Sequence, residues 1–583
     1  MNRFATETER RRRLTIRGVP IAVVSAVAFV AGALTGAGAG DTSAAQRFAD
    51  AWEAQNFALM HAELSPAAQQ EYPIEEFSQT YIEAQATATA VRVVIDEVDS
   101  VETEAGEAGA FEAIVDTHAF GQLAGRVELP LDDEGMVAWE PHVVFPGLTP
   151  GETLGRVTRL AERAPLLARD RTPLAEGPAS ARTSPLGAAA LAIAGSVGSP
   201  SREQEEEMYA LGFPEGSLAG TSGLELAFNQ RLAGQPSGQL IAIAADGSLS
   251  DGRILASGDP SPGEPVRTTI DPGLQEAAVL ALGATYGGVA AVDARNGQVL
   301  AVAGLAFSAP QPPGSTFKVI TATAALESGK VKTTDTFPVE SSNSLIGREI
   351  SNAYDELCGG TFVESFAHSC NTVFAPLGVE VGAEQLLETS ELFGFNSPPT
   401  LMAEAPQAAL SPPESMIPTP IESDVALGET AIGQGQVLAT PLLLASIAQT
   451  IANDGVRMPN SLVRTRDLRP ADEPVTVTTP EVAQTVRDLM IEVVRSGTGI
   501  AAALPDVQVA GKTGTAELGP KALQPELAPG EDPELEVDAW FTAFAPADRP
   551  ELAVAAMVVN ASGDGGTVAA PIVRQVLEAG LAE

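Results

Sequence analysis

Basic residues are scarce in this chain of 583 residues, and lysine is much rarer than arginine. Lysine and arginine together number 34 against 76 aspartates and glutamates, which gives a formal net charge of -42 at pH 7. Binding to nucleic-acid phosphates requires a basic surface, so this balance argues against a nucleic-acid partner. The sequence contains only these five lysines: Lys318, Lys330, Lys332, Lys512 and Lys521.

Charge is absent altogether from Val19 to Gly40, a run just long enough to span a bilayer as one helix. Arginines at 10–13 and at Arg17 precede this run and predict that residues 1–18 are cytoplasmic and that the rest is exported. We therefore predict a transmembrane anchor over residues 19–40. A signal peptide cleaved at the small residues 37–39 is the alternative, and the absence of a following cysteine excludes a lipoprotein anchor.

Histidine and cysteine are also rare, with four and two copies respectively. The histidines show no metal-ligand spacing, and two cysteines cannot form a zinc site alone, so no metal site is predicted. In an exported protein, Cys358 and Cys370 can form a disulfide or remain two buried free thiols, and the sequence leaves both open. The four histidines are His61, His118, His142 and His368.

The length and patterning predict a multidomain α+β protein. Residues 42–148 show helical spacing followed by strand-like segments, which indicates a small α+β domain. Residues 150–266 are rich in proline, glycine and alanine between short elements, which indicates a loop-rich linking domain. In residues 267–583, strands are followed mostly by helices and then by strands again, which favours one antiparallel sheet covered by helices.

Four apolar runs predict the strands of that last region. Gly288–Val292 and Val299–Val302 flank Asn296-Gly297, which is a typical hairpin turn. Near the C-terminus, Trp540–Phe544 and Leu552–Val559 predict two more strands. The sheet is therefore expected to combine segments that are distant in sequence.

A Ser-x-x-Lys motif occurs at Ser315 and Lys318, where Pro313 and Gly314 break the chain before a helix predicted to extend to about Ser328. Residues three apart lie on one face of a helix, so the amine can reach the hydroxyl. It can accept the hydroxyl proton only if burial or a nearby cation lowers its pKa. Alone, this motif is a weak signal.

Two further motifs carry polar side chains suited to the same chemistry. Ser369 and Asn371 are two apart on a predicted loop and offer a proton-relaying hydroxyl and an amide, although a helix N-cap is the favoured explanation when this motif is taken alone. Lys512-Thr513-Gly514-Thr515 follows alternating apolar residues and is predicted to form a strand. Its glycine permits close approach of another backbone, while Lys512 and Thr513 suit the binding of a peptide carboxylate.

In this order, the three motifs resemble the set shared by penicillin-binding proteins and class A β-lactamases, with Cys370 at the centre of the second motif, where aspartate is common. Further segments resemble class B penicillin-binding proteins. Residues 42–148 resemble their NTF2-like extension, and residues 150–266 resemble their pedestal or dimerisation domain. The segments that carry the remaining likeness are 164–175, 223–225, 269–271, 431–435, 439–441 and 452–455.

The resemblance implies a role for each motif residue. Ser315 would be the nucleophile and Lys318 its base, Ser369 would pass a proton to the leaving group, and Asn371 would orient the lysine or the substrate. Lys512, Thr513, Gly514 and Thr515 would form the substrate-binding strand. Backbone N–H groups of Ser315 and Thr515 would form an oxyanion hole. The resemblance implies no metal and no organic cofactor.

A serine D,D-transpeptidase that cross-links peptidoglycan is the activity that the resemblance implies. It also implies stem-peptide substrates, acylation by β-lactams, a single membrane-spanning helix with the catalytic domain outside, and a glycosyltransferase or a division or elongation complex as partner. A D,D-carboxypeptidase or a β-lactam-hydrolysing or low-affinity resistance protein would use the same motifs and is one alternative. A non-enzymatic cell-wall scaffold is the other, although the retention of scarce lysines argues against it.

Overall fold

The computed structural model describes residues 43–103, 106–247, 249–403, 412–520 and 535–582. The predicted anchor, the predicted cytoplasmic tail and the alternative cleavage site all lie outside the described residues. Within those ranges, no helix combines the length and the apolar character needed to cross a membrane.

The N-terminal domain packs four helices against a four-stranded antiparallel sheet. Its elements are α1 (Ala44–Glu53), α2 (Phe57–Ala62), α3 (Pro66–Glu71), α4 (Ile74–Ala88), β1 (Ala90–Ile95), β2 (Asp99–Thr103), β3 (Gly106–Thr117) and β4 (Gly121–Pro130). The long strand β3 pairs with the other three. In the core, the rings of Trp52 and Tyr81 meet edge to face at 5.3 Å, and the Trp139 indole donates to the Tyr81 hydroxyl at 3.1 Å. The predicted small α+β domain is confirmed.

The middle region contains three small sheets and four short helices. Its elements are β5 (Thr153–Arg159), β6 (Leu166–Leu167), β7 (Pro173–Ala175), α5 (Ala188–Ala194), β8 (Val197–Gly198), α6 (Arg202–Ala210), β9 (Ala219–Gly220), α7 (Gly223–Ala227), α8 (Asn229–Ala233), β10 (Ser237–Ile243), β11 (Leu249–Ser257) and β12 (Val266–Arg267). Leu240 and Ala242 of β10 belong to the apolar core of the N-terminal domain. Arg156 of β5 donates to the carbonyl of Ala86 and stacks 3.9 Å over the Tyr209 ring. These contacts join the two regions.

A buried charged cluster connects distant segments of the middle region. Glu225 is 1% exposed and forms ion pairs with Arg163 at 2.5 Å and with Arg182 at 2.7 Å. Arg163 also donates to the Asn229 side-chain oxygen, which accepts the backbone N–H of Gly220. Because one carboxylate binds two guanidinium groups away from water, loss of Glu225 would leave both arginines unpaired, whereas loss of one arginine leaves Glu225 paired with the other. The cluster therefore stabilises a region that has little regular structure.

The C-terminal region is built on a five-stranded antiparallel sheet in the order β14-β13-β23-β22-β21. Its helices are α9 (Pro272–Leu282), α10 (Lys318–Glu327), α11 (Phe362–Ala367), α12 (Asn371–Val381), α13 (Ala383–Phe393), α14 (Asp424–Ala431), α15 (Pro441–Ala452), α16 (Pro480–Arg495) and α17 (Ala570–Leu581). Its strands are β13 (Gly287–Asp293), β14 (Val299–Gly304), β15 (Thr336–Glu340), β16 (Ser342–Leu345), β17 (Arg348–Ser351), β18 (Cys358–Thr361), β19 (Val456–Arg457), β20 (Val475–Thr476), β21 (Ala510–Pro520), β22 (Leu535–Ala545) and β23 (Leu552–Val558). Helices α9 and α17 pack on one face and α15 on the other, which confirms the predicted antiparallel sheet covered by helices.

The predicted strands of this sheet are present. The hairpin β13–β14 turns at Gly297, whose φ of 71° is in the left-handed region that glycine tolerates. The two C-terminal runs form β22 and β23, which place the strand carrying Lys512 at the edge of the sheet. Among the described residues no strand pairs with the other side of β21, and this side faces the segment that carries Ser315.

Candidate active site

Ser315 lies in a short 3₁₀ helix, Gly314–Phe317, that leads directly into α10. This turn is pressed against β21. A Cβ added at Gly314 would come within 2.5 Å of the Thr515 carbonyl oxygen, and one added at Gly514 within 2.5 Å of the Pro313 carbonyl oxygen. The two glycines permit this approach because they carry no side chain. The structure thereby places Ser315, which is half-buried, beside the edge strand.

Lys318 is completely buried one helical turn after Ser315. Its ammonium nitrogen donates to the Ser369 carbonyl at 2.7 Å, to the Ser369 hydroxyl at 3.2 Å and to the Asn371 side-chain oxygen at 2.6 Å. All three acceptors are uncharged. The structure therefore joins the first and second motifs through one amine.

Lys512 is also completely buried and approaches the same hydroxyl from β21. Its nitrogen donates to Ser369 Oγ at 2.9 Å and to the Thr513 carbonyl at 3.0 Å. Ser369 has a φ of 61°, a left-handed conformation that is uncommon for residues other than glycine. Ser369 in this conformation accepts hydrogen bonds from Lys318 with both its carbonyl and its hydroxyl. All three motifs thus meet in one hydrogen-bonded cluster.

Burial lowers the pKa of both amines. The pKa of Lys318 lies well below its ordinary value because of desolvation and, secondarily, the nearby Lys512. Desolvation lowers the pKa of Lys512 to about 7. The rings of Phe374 and Phe366 lie 5.6 and 5.7 Å from the nitrogens of Lys318 and Lys512, respectively. Desolvation thus favours the neutral form of both amines, which is the form that can accept a proton.

The loop that carries the second motif is held by several contacts. The Asn371 amide nitrogen donates to the Ser351 carbonyl at 2.9 Å, and the side-chain oxygen of Asn352 accepts the backbone N–H of Thr372 at 3.1 Å. Cys358 and Cys370 form a disulfide, with Cα atoms 5.4 Å apart. The sequence left open whether the two cysteines are bridged or free, and the structure shows a bridge between β18 and the residue preceding α12.

The remaining predicted residues lie along β21 next to this cluster. Thr513 is 6% exposed, and its hydroxyl is 2.6 Å from the hydroxyl of Thr498. The Thr515 hydroxyl accepts the backbone N–H of Gly565 at 3.4 Å. Gly514 lies against the turn containing Ser315, where an added Cβ would meet the Pro313 carbonyl oxygen. All eight residues predicted for the site therefore lie in one region of the fold.

Sequence reasoning missed several residues that shape this site. Phe366 and Phe374 lie three residues on either side of the second motif, and this symmetric spacing was the available signal. Thr498 precedes Thr513 by 15 residues, outside all three motifs, and has no comparable signal. No group of three or more candidate ligands for a metal occurs among the described residues.

Comparison with protein families gives three matches along the chain. Residues 287–578 match the penicillin binding protein transpeptidase domain. Residues 159–268 match the penicillin-binding protein dimerisation domain, and residues 41–152 match the NTF2-like N-terminal transpeptidase domain.

Individual relatives agree with these matches. The peptidoglycan D,D-transpeptidase PbpA of Mycobacterium tuberculosis is 39% identical over 299 residues, which cover 47% of this chain and 56% of that protein. The peptidoglycan D,D-transpeptidase MrdA of Acinetobacter baumannii is 29% identical over 409 residues, which cover 62% of this chain and 60% of that protein. The match thus spans little more than half the length of these curated relatives.

Solved structures are similar over a larger share of the chain. The crystal structure of PBPA from M. tuberculosis matches with a TM-score of 0.55 and 29% identity, covering 72% of this chain and 99% of that one. The imipenem acyl-enzyme complex of the same protein matches with a TM-score of 0.54 and 28% identity, covering 72% and 99% of the two chains.

Proposed function

Because the chain belongs to the penicillin-binding protein transpeptidase family, we propose that it is a class B peptidoglycan D,D-transpeptidase that β-lactams acylate. One observation carries the proposal: two buried lysines with lowered pKa values share the Ser369 hydroxyl, and one of them, Lys318, lies one helical turn after Ser315. Nucleophilic catalysis by serine needs a neutral base next to the hydroxyl. A buried amine without a carboxylate partner suits this task.

In the acylation step, Ser315 Oγ attacks the carbonyl carbon of the penultimate D-alanine, and the hydroxyl proton passes to the neutral amine of Lys318. The C–N bond to the terminal D-alanine then breaks. Ser369 contacts both lysines and is placed to pass a proton to the departing amine. An acceptor amine next attacks the ester carbonyl carbon, a new C–N bond forms, the C–O bond to Ser315 breaks, and a proton from the acceptor amine passes to Ser315 Oγ.

Electrostatic stabilisation of the reacting oxygen is assigned to the backbone N–H groups of Ser315 and Thr515. In a strand, the N–H and C=O groups of one residue point to the same side. The Thr515 carbonyl faces the turn at Gly314 on the free side of β21, so its N–H also lies on that side. Donors fixed in this way before the reaction supply a large part of catalysis in acyl transfer.

Recognition of the terminal carboxylate is assigned to Lys512 and Thr513, with Asn371 orienting Lys318 through its 2.6 Å contact. The uncharged run over residues 19–40 supports a single-pass membrane anchor with residues 1–18 in the cytoplasm. The proposed division outside the membrane is residues 42–148, 150–266 and 267–583. A glycosyltransferase or a division or elongation complex is the proposed partner, because cross-linking requires glycan strands made by another active site.

Labelling with a fluorescent penicillin tests the acylation. The wild-type chain should become covalently labelled and Ser315→Ala should not, because the variant lacks the attacking oxygen. Ser328→Ala is the matched control, since that hydroxyl bonds the Ala324 carbonyl at the far end of α10. Label retained in Ser315→Ala would refute the nucleophile.

Transfer is tested separately with a pentapeptide ending in D-Ala-D-Ala and a D-amino acid as acceptor. Mass spectrometry should detect the exchanged peptide with the wild-type chain and not with Ser315→Ala. Release of D-alanine without exchange would identify a carboxypeptidase instead.

A further inference from the structure

Thr498 lies outside the three motifs, yet its hydroxyl is in direct contact with one of them. It follows α16 and is exposed to solvent, whereas Thr513, 2.6 Å away between the two hydroxyl oxygens, is almost completely buried. The backbone N–H of Thr498 donates at 3.1 Å to the carbonyl of Ala367, the last residue of α11. Thr498 thus connects the strand of the third motif to the helix that precedes the second.

The backbone around Thr498 is closely packed. A Cβ added at Gly497 would come within 2.2 Å of the Ala367 carbonyl oxygen, and one added at Gly566 within 2.4 Å of the Thr498 carbonyl oxygen. Neither the Ala367 carbonyl nor Gly566 leaves room for the backbone at Thr498 to shift. The Thr498 hydroxyl is therefore held at its place against Thr513 by contacts on both sides.

Either hydroxyl can be the donor in the contact between Thr498 and Thr513. Thr498 has one hydroxyl proton and two possible acceptors, Thr513 Oγ1 at 2.6 Å and the Ala367 carbonyl at 3.4 Å. The second distance is long for an O–H···O bond, and we take Thr498 as the donor to Thr513 for that reason. The proton of Thr513 is then free to bind a third group, and an anionic carboxylate is the acceptor that holds it most strongly.

We propose that Thr498 is a positioning residue for carboxylate recognition. By donating to Thr513, it leaves the Thr513 proton available to the carboxylate of the donor peptide or of a β-lactam. Thr498 acts through Thr513 without touching the ligand. The inference rests on the proposed function, in which Thr513 binds that carboxylate.

The test compares a ligand that has the carboxylate with one that lacks its charge. Penicillin G and its methyl ester are allowed to acylate the full-length chain, and the rate constants are measured by competition with a fluorescent penicillin. The measured quantity is the ratio of the acid to the ester rate constant. Thr498→Val should lower this ratio about three- to tenfold, the effect of one hydrogen bond, while Thr498→Ser should retain it. Thr485→Val, which removes a hydroxyl bonded within α16, should also retain it.

The outcomes separate the possible failures. An equal loss for both ligands in Thr498→Val would indicate a structural role and overturn the inference, as would an unchanged ratio. Thr513→Val serves as the reference. If it lowers the ratio and Thr498→Val does not, only the role of Thr498 fails. If it leaves the ratio unchanged, Thr513 does not bind the carboxylate, and that part of the proposed function fails as well.

Discussion

Lys318 and Lys512 donate hydrogen bonds to the same oxygen, Ser369 Oγ, at 3.2 and 2.9 Å. They reach it from a helix and from an edge strand that are almost 200 residues apart in sequence. Two cations so close together in a desolvated site repel each other, so at least one of the amines is driven toward its neutral form. The shared hydroxyl therefore lies between groups that can exchange a proton.

The first prediction concerns this hydroxyl. Ser369→Ala should slow acylation by penicillin about 100-fold, because the route for proton transfer between the two amines and the leaving group is lost. The decrease should be seen in the second-order rate constant of labelling. Ser365→Ala is the matched control: it removes a buried hydroxyl that has no hydrogen-bond partner within the described part of the chain. A similar decrease in both variants would contradict a specific role for Ser369.

The second prediction concerns the pH dependence of stability. The pKa of Lys512 is about 7 in the folded protein and about 10.4 in an unfolded chain. Below pH 7 both states bind the proton, and the folded state carries the full unfavourable energy of a buried charge. Between these pKa values the unfolded chain binds more protons, so stability rises with pH. Relative to Lys512→Met, the wild-type free energy of unfolding should rise by about 2 kcal/mol from pH 7 to pH 9. Guanidinium titrations followed by tryptophan fluorescence measure the free energy of unfolding of both proteins at each pH. A difference between them that does not change with pH would refute the lowered pKa of Lys512.

The third prediction separates steric conflict from backbone strain. Gly314 and Gly329 both have positive φ values, of 53° and 67°, so alanine at either position introduces similar strain of about 1–2 kcal/mol. Only at Gly314 does the new Cβ also collide with the Thr515 carbonyl, since nothing lies within 4 Å at Gly329. Gly314→Ala should therefore greatly reduce penicillin labelling, and Gly329→Ala should preserve it. Equal labelling of the two variants would mean that the turn does not need to contact β21.

The fourth prediction concerns the disulfide between Cys358 and Cys370, which closes a loop with a sequence separation of 12. Alkylation of the denatured, unreduced and natively exported protein should modify no thiol, and reduction should expose two, as shown by intact mass. In the chain-entropy description, a loop of this size stabilises the folded protein by about 3 kcal/mol. Replacing both cysteines by alanine should lower the free energy of unfolding by a similar amount. Two alkylated thiols without reductant would contradict the bridge.

Much of the fold could be predicted because local patterns agree with the final structure. The Asn296-Gly297 turn lies between two adjacent strands, and Lys512 lies in an edge strand as predicted, although this strand begins at Ala510, after the alternating valines. The helix after Ser315 was also expected, but its first turn is 3₁₀. That turn is packed against Thr515 from another part of the chain, and local propensity carries no information about such a contact.

Parts of the site depended on tertiary contacts that the sequence does not encode locally. The disulfide was left open because it requires β18 to pair with β15, so that Cys358 is brought close to Cys370. Thr498 was missed because its partner Thr513 is reached only after α16 packs against the sheet. The predicted anchor over residues 19–40 and the predicted domain limits remain predictions.

The buried cluster of Glu225, Arg163 and Arg182 restricts how the sequence of the middle region can change over time. Replacement of Glu225 alone leaves two buried guanidinium groups without their carboxylate, which costs about 3–5 kcal/mol and is comparable to the whole stability of many domains. Joint replacement by apolar residues of similar volume carries no such penalty. One arginine can be replaced while the other keeps its pair with Glu225, but a further single substitution leaves a buried charge unpaired. Relatives of this protein should therefore retain Glu225 with at least one arginine, or lack all three residues.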